Sequence, residues 1–144
     1  QAFATGWGHH EAKWAFKRSF RDDYPKSYIN LGLLSAVPDV GALYTGVNWG
    51  EEIAGKHTSR WGATASITRP VFKRKTTLSI SSGNFGGGSH FGEPREDNQY
   101  NVNLKSQVHK NVAVSIGYSW NNSNVAFYDE NSVLFGVDIK SISF

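Results

Sequence analysis

Five histidines are the first residues to weigh, because imidazole can ligate a metal or act as a base near neutral pH. His9 and His10 are adjacent, so on a strand they face opposite sides and on a helix they diverge, which makes them poor joint ligands. His57 and His90 fall in long polar stretches, with Glu51, Glu52, Glu93, Arg95, Glu96 and Asp97 nearby in sequence. Carboxylate and imidazole donors are thus available for a cation, yet no HxxxH or carboxylate-triad spacing organises them. His57, His90, Glu93 and Arg95 are therefore candidates for binding a partner at the loops, and no metal is expected.

The run Gly86-Gly87-Gly88 invites comparison with a phosphate cradle. Such a loop needs a following Lys-Ser/Thr and a helix, whereas Ser89-His90-Phe91 follows here and the flanks alternate as strands do. A mobile loop tip is the expectation. Lys17-Arg18 and Lys73-Arg74-Lys75 could touch phosphate, but Lys73–Lys75 occupies an expected short turn and no RNP-like aromatic pattern accompanies it. Nucleic acid is not an expected partner. With no cysteine, the chain has neither disulfides nor thiolate metal sites, and nothing supports a redox cofactor, a nucleotide or any other cofactor.

The elements that must position these residues are strands. In residues 111–121, Val112, Val114, Ile116, Tyr118 and Trp120 point one way and Ala113, Ser115, Gly117 and Ser119 the other. The same alternation predicts about eight strands, near 12–20, 28–37, 43–50, 60–69, 75–84, 99–107, 111–121 and 132–143. Residues 1–11 read as an irregular lead-in. Short links at 38–42, 70–74 and 108–110 alternate with long polar ones at 51–59, 85–98 and 122–131. That is the pattern of an up-and-down antiparallel barrel with one trimmed and one elaborated rim. A chain of 144 residues makes one such domain.

A soluble β-barrel or β-sandwich shares this pattern, with the Val, Ile and aromatic face inside. In a membrane barrel that face looks out to lipid. The second face, mostly Gly, Ser, Thr, Ala and Asn, is small and uncharged for a wet exterior and suits a narrow lumen. Asn103, Lys105, Asp138 and Lys140 are its larger groups, able to pair across the inside. Trp49, Trp61, Tyr118 and Trp120 are candidate membrane-interface aromatics, near the ends of strands that meet long links. A chain that starts at Gln1 and contains no Met is expected to have lost a targeting segment, and hence to be exported.

On these strands, and on the terminal aromatic Phe144 with Ile142 behind it, the chain resembles the small eight-stranded outer-membrane β-barrel proteins of Gram-negative bacteria. The resemblance implies an outer-membrane location, a lipid or lipopolysaccharide environment, and long loops that meet an external protein or glycan. His57-Thr58-Ser59 is similar to the His-x-Ser element of lipid A deacylases, barrels in which a His activates a Ser beside the lipid. That resemblance implies the element on the penultimate strand, where this chain has Ser119, with Glu130 as a possible carboxylate, but Gly117 in place of the base. A non-enzymatic barrel is the expectation. A soluble exported protein that binds a ligand, acts in defence or builds an extracellular structure is the alternative.

Overall fold

The computed structural model describes residues 1–19 and 26–139. The chain is all-β: β1 (Ala2–Thr5), β2 (Gly8–Ser19), β3 (Lys26–Val37), β4 (Gly41–Gly50), β5 (Thr58–Val71), β6 (Arg74–His90), β7 (Glu93–His109), β8 (Val112–Ser123) and β9 (Glu130–Ile139), with one short 3-10 helix at Ala126–Tyr128. Each strand pairs antiparallel with its sequence neighbours, so the sheet runs from β1 to β9 in chain order. Among the described residues β9 pairs only with β8 and β1 only with β2, so hydrogen bonds do not close the sheet.

Register lines the alternating residues into rows across the strands. One apolar-face row runs Trp14, Leu31, Val47, Ala63, Ser82, Tyr100 and Trp120. The next runs Ala12, Leu33, Thr45, Ala65, Ile80, Val102, Tyr118 and Val133. Towards the long links, Phe16, Ile29, Trp49 and Trp61 continue in the same row as Asn84, Asn98 and Asn122. Towards the short links the order reverses, with His10 and Ser35 followed by Leu43, Ile67, Leu78, Leu104, Ile116 and Phe135. The apolar belt therefore crosses the hydrogen-bonded rows obliquely. A level belt around tilted strands does the same, since strands inclined by roughly 35–45° carry their register along the axis.

Among the described residues no apolar side chain is buried, so no apolar core forms there. Among the described residues the buried ones are Lys26, Gly62, Gly86, Asp97 and Gly117, and none contributes an apolar side chain. Ile80 and Ile116, in strands paired on both sides, remain 53% and 47% exposed. The accessible surface is 10325 Å², against roughly 7400 Å² for a compact monomer of this mass. Among the described residues the strands form one layer, whose apolar face is the more exposed: Leu78, Ile80, Val102 and Leu104 are exposed where Ser79, Ser81, Asn101 and Asn103 are half-buried.

The structure revises several expectations. Residues 1–11 are not irregular: Ala2–Thr5 pairs with Gly8–Glu11, a hairpin too short to show alternation in sequence. This ninth strand accounts for the difference from about eight. Residues 85–98 are not a long loop either, because β6 and β7 continue to a turn at Phe91-Gly92. The glycine run is a bulge inside β6, where register shifts between Phe85 and Gly88. Gly87 has φ 87°, and a Cβ there would collide with the carbonyls of Ile53 and Lys56. Bare backbone in β6 thus lets the 51–57 link lie directly across it, which is why the glycines do not mark a loop tip. The 122–131 link shortens likewise, since β8 runs to Ser123 and β9 begins at Glu130. Both β5–β6 and β6–β7 turn through pairs with positive φ at each position, Phe72-Lys73 (50° and 62°) and Phe91-Gly92 (49° and 88°), the geometry of type I′ hairpins.

Candidate functional site

Extending β6 and β7 brings the expected loop residues together at one rim, beyond the Trp49–Trp61 row. Its centre is Asp97, which has no solvent exposure. Arg95, two residues away on the same face, gives its Nε to both carboxylate oxygens at 3.0 Å and a terminal nitrogen to Oδ2. Ser123 Oγ donates to Oδ1 at 2.7 Å and Asn121 Nδ2 to Oδ2 at 3.2 Å, both from β8. His57 Nε2 lies 3.1 Å from Oδ2, without the alignment of a hydrogen bond. Burial alone would raise the Asp97 carboxyl, but the bonds from Arg95, Ser123 and Asn121 outweigh it and hold the group down to about 2. Burial, then the Arg95 charge, pushes His57 below its ordinary value against the pull of Asp97. The bond to Asp97 raises Arg95 further.

A second ion network binds the 51–57 link to the same hairpin. Arg60 Nε donates to Glu52 at 2.5 Å and a terminal nitrogen to Glu96 at 2.9 Å. Those two bonds raise the Arg60 guanidinium, and the bond from Arg60 lowers Glu52. The β8–β9 link is tied in by Glu96 N–H to Asn124 Oδ1 and Asn124 Nδ2 to the Pro94 carbonyl, each 2.8 Å. Above Asp97 the Arg95 guanidinium lies 3.4 Å from the centre of the Tyr128 ring.

His90 joins this rim through Tyr128, Nδ1 to the hydroxyl at 3.2 Å. Phe91 packs edge-on to His90 and Phe127 stacks on it, with ring centres 4.5 and 5.8 Å away. Phe91 and Phe127 are 97% and 79% exposed, an aromatic surface beside the Arg95–Asp97 pair, of which Asp97 is buried. Glu93 is exposed beside the turn and enters neither network. Arg60, Asn121, Ser123 and Tyr128 escaped sequence reasoning. The one legible signal was Arg95-x-Asp97, an ion pair at strand spacing.

The arrangement does not activate a nucleophile. Asp97 stands between Ser123 and His57, so the imidazole does not reach the hydroxyl, whereas a hydrolase needs the imidazole in the middle. Ser119 is flanked in register by Asn101 and Ser132 and along β8 by Gly117 and Asn121, none of them a base. Gly117 opposes Asn103, whose Nδ2 would lie 2.9 Å from a Cβ there, so Asn103 occupies the room a histidine would need. Lys105 and Asp138 form an ion pair across β8, over Ser115 and Ala113. Lys140, Ile142 and Phe144 lie outside the described residues. Trp49 and Trp61 are direct register partners, and Trp120 stacks on Tyr100 at 5.3 Å with Tyr118 tilted beside it at 5.6 Å. The described residues hold no cluster of three or more His, Cys, Asp or Glu side chains suited to a metal ion.

Comparison of the chain with family models, curated proteins and solved structures finds no match.

Proposed function

We propose that this chain is a non-enzymatic wall of a membrane-embedded β-barrel, of the outer-membrane kind it resembles, which presents the Phe91–Phe127 surface to an external protein or glycan. One observation carries the reading: no apolar side chain is buried among the described residues, while a contiguous belt of them stays open. A soluble protein hides such an area, because contiguous apolar patches on monomers rarely exceed a few hundred Å². The oblique course of the belt and the small polar second face agree with lipid outside and a lumen inside. In a bilayer the free edges of the sheet must be paired, with each other or with further strands of the same or another copy, since unpaired backbone is not tolerated in lipid.

The test is extraction and gel mobility. The membrane reading expects the chain to need detergent or lipid and to migrate differently before and after boiling. A monodisperse, detergent-free protein would overturn it.

A second reading has its own support in a cavity of about 950 Å³ against the middle of the sheet, with Trp14, Leu31, Val47, Ile80 and Tyr100 in its lining. Under it, the exported protein is soluble and holds an apolar ligand there. Saturable uptake of a fluorescent fatty acid by detergent-free protein would favour that alternative.

A further inference from the structure

We propose that the β5–β6 turn docks on the anionic headgroups of a phospholipid bilayer. Phe72 is 94% exposed at its tip, and Arg69, Lys73, Arg74 and Lys75 around it are all exposed. None of these four pairs with a carboxylate among the described residues. The opposite rim is mixed, with Glu51, Glu93, Asp129 and Glu130 exposed beside the exposed cations Lys17, Arg18 and Lys56. An anionic surface therefore attracts the β5–β6 turn more strongly than the mixed rim.

Backbone strain is the second observation. A bulky residue at positive φ costs roughly 1–2 kcal/mol, and type I′ turns favour Asn-Gly; this turn instead holds Phe72 at φ 50° and Lys73 at φ 62°. Residues that work against their own turn are explained by what their side chains touch. Position agrees, for a tilted strand crosses a bilayer in roughly 9–11 residues. Counted from Trp61 at the first interface, that length ends at Arg69–Val71, next to the tip. Phe72 then enters the interface while the cations meet phosphate.

The inference rests on the membrane reading for its geometry, and its test separates the two. The full chain is mixed with phosphatidylcholine vesicles, with and without phosphatidylglycerol, and flotation and insertion are measured at low and high salt. Insertion into the neutral vesicles tests the membrane reading alone. The docking inference expects phosphatidylglycerol to strengthen association by about tenfold or more at low salt, an effect lost in the triple variant Lys73→Glu, Arg74→Glu, Lys75→Glu. The pair Phe72→Asn, Lys73→Gly relaxes the turn and keeps the fold, and is expected to bind anionic vesicles more weakly than the parent. Equal association with both vesicle types, unchanged binding by the triple variant, or preference for a soluble polyanion such as heparin would each overturn it.

Discussion

At the scale of single residues, Asp97 decides how the rim behaves. It is a buried carboxylate with its acceptors taken, so it serves as an anchor and is a poor base. Asp97→Asn would leave the Arg95 guanidinium without its counter-charge, a change that costs less here than the roughly 3–5 kcal/mol of a fully buried pair, because Arg95 keeps 18% exposure. Amide exchange in 93–97 and 121–124 should accelerate in this variant, while the middle of β8 keeps its protection. Acid acts at the same place. Unfolded histidine titrates near ~6.5 and His57 is lower in the fold, so below about pH 6.5 the unfolded chain takes up a proton that the folded one refuses. Asp97 stabilises the fold above about pH 4, where the unfolded carboxylate is ionised, and its contribution is lost as pH falls towards 2. That contribution is about 2–3 kcal/mol. Both groups therefore weaken the rim as pH drops, His57 first. Rim exchange, corrected for its intrinsic pH dependence, should show the two steps in that order.

Individual strands differ in how plainly the sequence announces them. β8 was legible because Val112, Val114, Ile116, Tyr118 and Trp120 alternate with small residues, and β-branched and aromatic side chains suit a pleated surface. The outer halves of β6 and β7 were not, since a glycine bulge and a charged, Asn-rich stretch carry no such alternation; their pairing depends on the link that crosses them. The rim network stayed hidden with them, because its partners come from residues far apart in sequence. Gly87→Ala tests that crossing: strain at φ 87° and the collision with Ile53 and Lys56 should displace the 51–57 link and expose it to protease, with β2–β4 unaffected. On β8, Ile116→Lys in lipid should cost about 2–4 kcal/mol near mid-depth and Val114→Lys, nearer the short links, less. Ser115→Lys on the second face puts a like charge opposite Lys105 in register and should cost about 1 kcal/mol or less, still below Ile116→Lys. Urea unfolding from vesicles measures all three, and a Ser115→Lys cost above that of Ile116→Lys would reverse the assignment of the faces.

For the molecule as a whole, the composition and two-faced pattern allowed a dry core or a lipid-facing belt, and no apolar side chain is buried among the described residues. Whether the sheet closes on itself or with other strands should show in detergent, where self-closure leaves a monomer and shared closure an oligomer measurable by light scattering. The order of strands has a kinetic consequence too. Every strand pair is adjacent in sequence, so each hairpin closes only a short loop and pairing can spread from either end, the kind of topology in which contacts form quickly. The Arg60–Glu96 and His57–Asp97 contacts are different, since they need β5, β6 and β7 already in register. They belong late in folding, and their removal should hasten unfolding far more than it slows the first pairing of the chain.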